Sequence, residues 1–199
     1  MKSGRLRRML WQCSIAELMF SSSVWMAGAQ THDDHAGTRA SQRHKPNPQE
    51  SALVKVVRDS TERFRDVSVA IGEGYTLLFG CVSGGDYGAM GLHFVNGSLV
   101  GDGEVDATRP EIVLYEPMSN GRVRITGADY LVLAADWHAK HAGPPELMGQ
   151  LFHLFESPNR FGLPAFYTLH VWAWKDNPNG TFVNWNPDVS CDKFNPQIP

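Results

Sequence analysis

An excess of positive charge and long apolar runs are both missing from the body of this chain. Its 199 residues carry 18 lysines and arginines against 21 acidic residues, a net charge of −3, and no face dense in basic side chains. This balance excludes a dedicated nucleic-acid-binding protein. Beyond the N-terminus there is no run of about 20 apolar residues, which excludes a membrane-spanning helix in that part of the chain.

Nucleotide-binding and hydrolase signatures are missing as well. The dinucleotide-binding pattern fails because Asp106 stands where a third glycine would have to follow Gly101 and Gly103. There is no Gly-Lys-Ser/Thr phosphate loop and no Gly-x-Ser-x-Gly nucleophile elbow. These missing signatures exclude a nucleotide cofactor. The length suits one domain, which excludes a two-domain dehydrogenase.

The N-terminus has the pattern of a secretory signal peptide. Four cations lie in residues 2–8, a mostly apolar stretch follows over residues 9–26, and Ala27-Gly28-Ala29 provides a small-x-small cleavage site. We therefore expect residues 1–29 to be removed and the protein to be periplasmic or secreted. Glu17 interrupts the apolar stretch, so a buried N-terminal helix is the alternative.

Cleavage after residue 29 would leave two of the three cysteines, Cys81 and Cys191. In an oxidising compartment an even pair of this kind predicts a disulfide. A loop of about 110 residues closed in this way would contribute on the order of 4–5 kcal/mol in the chain-entropy model. Two buried free thiols are the alternative.

The remaining chain divides into a tail and one domain. Residues 30–46 contain three histidines and no large apolar side chain, a composition typical of disorder. Asn47-Pro48-Gln49-Glu50 predicts a helix start, and we expect one long amphipathic helix to follow. Its apolar face is formed by Leu53, Val56, Val57, Phe64 and Val67.

The rest of residues 47–199 is mainly strand-like. Apolar, β-prone runs cover residues 75–82, 89–96, 111–116, 122–134 and 166–175, with turn residues between them. Two short helical pieces are predicted at 136–142 and 146–156. The predicted fold is α+β: a single domain with a curved or barrel-like antiparallel sheet, packed by the long N-terminal helix and the short helices.

Several segments form a recognisable set of motifs. They are residues 90–96, 110–117, the Leu-His-Val-Trp-Ala-Trp run at 169–174, residues 177–182, and the Trp-Asn-Pro-Asp-Val-Ser-Cys run at 185–191. Together they resemble a family of exported bacterial proteins to which no activity is assigned. The resemblance covers most of residues 75–191 and is most specific at the C-terminal end. It implies export and the cysteine pair. One departure is Asp129-Tyr130, where the family pattern has Glu-Tyr.

Histidine is the unusual element of this sequence. His93 and His170 each lie in the middle of an apolar strand, where both ring nitrogens need a partner. Two strand histidines with Asp129, or with Glu116 as the substitute, would form a two-His-one-carboxylate set suited to Zn, Fe or Cu. The alternative is a pair of core histidines hydrogen-bonded within the protein.

Other candidates are weaker. His138 and His141 have i, i+3 spacing, as do His153 and Glu156, so either pair would face one ion from a helix. The alternative for both pairs is that they lie on a solvated helix surface and bind no ion. An aromatic cluster near the C-terminus would stack a sugar or an aromatic ligand, with core packing as the alternative. Its members are Tyr167, Trp172, Trp174 and Trp185.

The first functional hypothesis is an exported protein with a His/carboxylate metal site in an aromatic-lined pocket, with catalysis left open. It implies one first-row transition metal and a small-molecule ligand. The alternative hypothesis is a non-enzymatic ligand-binding or structural envelope module whose histidines belong to the core.

Overall fold

A six-stranded antiparallel sheet forms the centre of the structure, a computed structural model that describes residues 48–196. Its strands are Thr76–Ser83 (β1), Ala89–Val95 (β2), Ile112–Pro117 (β3), Val123–Leu133 (β4), His153–Phe155 (β7) and Phe166–Val171 (β8). The strand order is β1-β2-β3-β4-β8-β7, and the sheet curls into a half-barrel. The predicted curved antiparallel sheet is therefore present, and the six strands do not close into a full barrel because β1 and β7 do not pair with each other.

The helices are short, and the expected single long helix is divided. The helices are Pro48–Thr61 (α1), Val67–Gly72 (α2), Gly97–Val100 (α3) and Ala134–His138 (α4). A 3-10 turn over Glu62–Arg65 separates α1 from α2. Asp66 caps the N-terminus of α2 by accepting a hydrogen bond from the Ser68 backbone N–H, which starts a new helix instead of extending the first.

The two faces of the sheet pack against different parts of the chain. On one face, Leu53 and Val57 of α1 pack against Tyr130 and Leu169, and all four side chains are buried. On the other face, the loop between β7 and β8 covers the sheet. The side chains packed there are Val95, Ile112, Leu114, Leu131, Phe155, Phe161, Leu163 and Phe166. Because strand residues alternate between faces, the same strands supply both layers.

The segment 146–156, predicted to be a helix, instead forms short strands. Glu146–Leu147 (β5) pairs with Gln150–Leu151 (β6), and β7 follows. The connecting residues Met148 and Gly149 have φ values of 49° and 84°. Positive φ at both central positions is the geometry of a tight two-residue hairpin turn, which a helix cannot accommodate.

The C-terminal run also differs from the prediction, because β8 ends at Val171 and does not continue to residue 175. The Ala173 backbone N–H bonds back to the Val171 carbonyl at 2.8 Å, and the Trp174 N–H bonds to Thr126. The chain therefore turns out of the strand, and the period-2 alternation of side chains stops there.

The structure joins Cys81 to Cys191 in a disulfide with a Cα–Cα distance of 5.7 Å. The bridge connects β1 to the last described segment, across 110 residues of sequence. The predicted pairing is confirmed. Within residues 48–196, no helix has the length and apolar character needed to cross a bilayer. The predicted signal peptide, residues 1–29, and the predicted tail, residues 30–46, lie outside the described residues.

Candidate metal centre

Three polar side chains meet on the sheet face opposite α1. Asp129 of β4 and His170 of β8 are direct cross-strand neighbours. His93 of β2 pairs with Leu114 of β3, which in turn pairs with Gly127, two residues before Asp129. Since paired residues point to the same face and alternate residues share it, the register alone brings the three side chains together.

The three side chains form a compact donor set. One ligand atom from each of His93, Asp129 and His170 lies within 4.8 Å of the other two, and all three residues are buried. The predicted convergence is present in the structure, and metal binding by these residues stays a prediction. Two imidazole nitrogens and a carboxylate oxygen are donors typical of first-row transition-metal sites.

Asp129 is held in place by its neighbours. The Thr168 hydroxyl donates a hydrogen bond to Oδ1 of Asp129. Burial is the largest single influence and raises the pKa of the Asp129 carboxyl, but the neighbouring His170 and His93 together with the hydrogen bond from Thr168 outweigh it and leave the pKa below its ordinary value. The carboxylate is therefore ionised at neutral pH, which is the form that binds a metal.

His170 is buried with incompletely satisfied nitrogens. The residue is 2% exposed, and neither Nδ1 nor Nε2 has a hydrogen-bond partner among the described residues. Nδ1 lies 3.3 Å from Oδ1 of Asp129 without the geometry of a hydrogen bond. A buried polar nitrogen without a partner is costly, so a group that satisfies it would be stabilising.

His93 has a defined orientation. Its Nδ1 lies 3.2 Å from the Gly91 carbonyl oxygen, which can only accept, so Nδ1 carries the proton and Nε2 has the free lone pair. Burial and the neighbouring His170 lower the pKa of His93 to about 4. This imidazole is therefore neutral at pH 6.5, the ordinary pKa of histidine, and the neutral imidazole is the form that binds a metal.

A cavity of about 30 Å³ lies against the three donors. A cavity of this size has room for a water-sized ligand beside the donors. Its remaining walls are Met90, Ile112, Leu131, Phe155, Phe161, Leu163, Phe166, Thr168 and Asn184. Because most of these walls are apolar, charges inside the cavity interact more strongly than they would in water.

A β-bulge lies beside the site. Leu78 of β1 pairs with His93, whereas the next pair is Cys81 with Leu92, so Phe79 and Gly80 are left over in β1. Phe79 has a φ of 65°, and its ring contacts Phe161 at a centroid distance of 5.4 Å. The bulge thus directs an aromatic ring onto the loop that closes the cavity, as bulges near functional sites commonly do.

The secondary candidates are engaged elsewhere. Glu116 forms ion pairs with Arg124 and with Lys175, the latter at 2.7 Å, so the structure does not place it with the histidines. His138 contacts the Tyr167 hydroxyl at 2.9 Å, whereas His141 stacks on Trp137. The two rings therefore do not face one common ion.

His153 lies in β7, an exposed strand, rather than on the predicted helix, so its i, i+3 relation to Glu156 does not place both on one helical face. The side chain lines a groove of about 250 Å³ on the surface, referred to below as the outer groove. The other lining residues are Tyr87, Asn179, Val183, Asn184 and Trp185.

The four predicted stacking residues do not form one platform. Tyr167 and Trp174 pack with the core on the α1 face, and the Trp174 indole N–H donates to the Thr61 hydroxyl. Trp172 is buried beside Ala89. Trp185 alone among the four lines the outer groove. Tyr167 is an odd number of residues from Trp172 and Trp174, so strand alternation alone places it on the other face of the sheet. Trp174 joins Tyr167 on the α1 face because the alternation stops at Val171.

Two residues of this region were not singled out by the sequence. Asn184 lines both the small cavity and the outer groove, and within residues 48–196 its buried Oδ1 has no hydrogen-bond partner. Tyr87 is 71% exposed at the groove. Asn184 is one of several asparagines near the C-terminus, and nothing in its local pattern distinguishes it from Asn177 or Asn179.

No family model matches the chain, and neither the curated proteins nor the solved structures provide a match. The functional argument therefore rests on the geometry of the site.

Proposed function

We propose that this protein is exported and binds one divalent first-row transition metal through His93, Asp129 and His170. The observation that carries the proposal is the convergence of three buried donor atoms within 4.8 Å. The unpartnered nitrogens of His170 support it, because a metal would satisfy one of them. The neutral state of His93 and the ionised state of Asp129 are also the forms that act as ligands.

The donor set favours Zn²⁺, Fe²⁺ or Cu²⁺ over Mg²⁺ or Ca²⁺, because the latter two prefer all-oxygen coordination. Three protein ligands leave at least one coordination position open, the arrangement found in catalytic rather than structural zinc sites. The cavity of about 30 Å³ offers space for one water-sized ligand at that position.

Export is the second part of the proposal. The signal-peptide pattern of residues 1–29 and the resemblance to exported bacterial proteins both support it. The Cys81–Cys191 disulfide agrees with it, because disulfides persist mainly in oxidising compartments. N-terminal sequencing of protein recovered from the periplasm or medium tests this part: a chain beginning at Gln30 supports it, and an intact Met1 contradicts it.

Metal binding is tested by stripping the purified chain with a chelator and titrating it separately with Zn²⁺, Fe²⁺ and Cu²⁺ while metal content is measured. We expect one ion per chain and a rise in unfolding temperature on loading, since a ligand that binds only the native state stabilises it. A stoichiometry near zero for all three ions would refute the proposal.

The alternative of a binding module without a metal is favoured by one observation. The outer groove has a volume of about 250 Å³, and its lining does not include His93, Asp129 or His170. A ligand could therefore bind in the groove even if the three donors held no ion.

A further inference from the structure

The outer groove has the size of a small organic ligand. Its volume of about 250 Å³ equals the liquid volume of roughly eight water molecules. This lies just below the usual range for drug-sized ligands, roughly 300–1,000 Å³. A single six-membered ring with its substituents is therefore the natural size of occupant.

No charged side chain among the described residues lines the groove, since none of those that line it belongs to Asp, Glu, Lys or Arg. A cation lies beside the groove, because the Arg160 guanidinium lies over the Trp185 ring at 5.5 Å from its centroid. A phenol hydroxyl, two carboxamides and an imidazole provide both donors and acceptors, from Tyr87, Asn179, Asn184 and His153. Such a surface favours an uncharged molecule with several hydroxyl groups over a strong anion or cation, because no side chain that lines the groove offers an ionised partner.

Two aromatic side chains add apolar surface to these polar groups. Trp185 is fixed in place: a Cβ at Gly84 would lie 2.7 Å from its ring, so only glycine allows this packing without a shift. Tyr87, by contrast, is 71% exposed at the end of the 3-10 turn Gly85–Tyr87 between β1 and β2. Aromatic faces pack against the C–H face of a sugar ring while its hydroxyls bond to the amides.

Asn184 connects the outer groove to the proposed metal centre. It lines both spaces, and its Oδ1 is buried without a hydrogen-bond partner among the described residues. Rotation of the carboxamide would bring Oδ1 to the groove, where a ligand hydroxyl that donates to it would remove the cost of the unsatisfied oxygen. The same contact would bring the hydroxyl to the boundary of the cavity that holds His93, Asp129 and His170.

We propose that the outer groove binds one neutral polyhydroxylated ring of the sugar class, and that a ring hydroxyl donates to Oδ1 of Asn184. Tyr87 contacts the ring face, and Trp185 adds apolar surface at the side of the groove. The position of the ring next to a metal ion rests on the proposed function, whereas binding in the groove does not.

The test uses saturation-transfer NMR on the purified chain with D-glucose and D-xylose as probes, in the Zn²⁺-loaded and chelator-stripped forms. We expect transfer to both sugars, with at least a fivefold reduction in Asn184→Leu and in Tyr87→Ser. Leu151→Ser is the matched control, because Leu151 is also an exposed apolar residue, 61% exposed, but does not line the groove. If Asn184→Leu fails to fold by circular dichroism, Tyr87→Ser decides the outcome, since its side chain is mostly exposed.

Two results would overturn the inference. The first is unchanged sugar binding in both groove variants. The second is binding of D-gluconate or phenol in place of the neutral sugars, which would assign the groove to an anion or an aromatic ligand. Sugar binding to a chain that takes up no metal would refute the proposed function alone, and metal uptake without sugar binding would refute this inference alone.

Discussion

Nδ1 of His170 lies 3.3 Å from Oδ1 of Asp129, its direct partner across strands β8 and β4, and both side chains are buried. The pair couples a carboxylate to an imidazole in an apolar setting, with Thr168 donating to the same carboxylate oxygen. A buried pair of this kind is expensive to form unless further contacts complete it. A metal ion bound together with His93 would be such a contact.

Removal of either imidazole should abolish the stabilisation by metal. We expect His93→Ala and His170→Ala to lower Zn²⁺ affinity by more than about 100-fold, a larger loss than the ~10–100-fold usual for groups that only support a ligand. The rise in unfolding temperature on Zn²⁺ addition should disappear with it. His141→Ala is the control, because His141 stacks on Trp137 away from the site. An equal thermal shift in all the variants would show that the ion binds elsewhere.

Thr168 should tune the site without binding the metal. Thr168→Val keeps the side-chain shape but removes the hydroxyl that donates to Asp129. Loss of such a supporting hydrogen bond typically lowers metal affinity by about 10–100-fold. Isothermal titration with Zn²⁺ measures the change, and an affinity equal to that of the unmodified chain would show that Thr168 has no part in holding the carboxylate.

The disulfide should contribute measurably to stability. We expect the double variant Cys81→Ser/Cys191→Ser to unfold with about 2–5 kcal/mol less free energy than the oxidised chain, because the bridge closes a long loop. Urea denaturation with and without a reductant provides the measurement. The reductant should destabilise the unmodified chain and leave the variant unchanged; two curves that coincide for the unmodified chain would mean that the bridge does not stabilise the fold.

Glu111 should make stability fall as pH rises. Its carboxyl is 2% exposed and accepts a hydrogen bond from the Leu131 N–H, and burial raises its pKa to about 8 from an ordinary value of 4.5. The native state therefore keeps a proton that the unfolded chain releases above pH 4.5. The free energy of unfolding therefore falls as pH rises from about 4.5 to 8. A pKa shift of this size lowers it by roughly 3–5 kcal/mol in total.

Glu111→Gln should remove that pH dependence, because the amide resembles the protonated acid. Denaturation measured between pH 5 and 9 should show a variant that is more stable than the unmodified chain at high pH and similar to it at low pH. The exposed Glu146 supplies the control variant Glu146→Gln, which should follow the unmodified chain. If Glu111→Gln follows it as well, the carboxyl does not keep its proton on folding.

Gly91 should not tolerate a side chain. Its φ is 91°, and an added Cβ would clash with the Tyr115 carbonyl oxygen. We expect Gly91→Ala to cost at least about 2 kcal/mol of unfolding free energy, from backbone strain together with the clash. Gly143→Ala is the matched control because nothing lies within 4 Å of its added Cβ. Equal thermal stability of the two variants would contradict the assigned strain.

Local sequence patterns are sufficient for several features of this protein. The apolar, β-prone runs with turn residues between them predict five of the six strands in the main sheet to within a few residues, since alternation and turn chemistry are local properties. The pairing of Cys81 with Cys191 follows from the cysteine count once the leader is assumed to be removed. His93 and His170 stand out because a histidine within an apolar strand needs polar partners.

Other features depend on contacts between distant parts of the chain. The hairpin at Met148-Gly149 replaces a predicted helix because its turn has a positive φ at both central residues, which the amphipathic pattern of the segment does not reveal. Asp129 rather than Glu116 joins the two histidines for two reasons. Strand register pairs Asp129 directly with His170, and Glu116 forms ion pairs with Arg124 and Lys175 instead.

The outer groove, with Asn184 in its wall, is the feature that depends most clearly on contacts between distant parts of the chain. The groove is built from segments more than ninety residues apart, from Tyr87 to Trp185, and no local spacing relates them. The helical and strand preferences of a segment, and the polar needs of its side chains, are written in neighbouring residues. Which side chains share a cavity depends on how the sheet pairs and curls, and that is determined by packing of the whole chain.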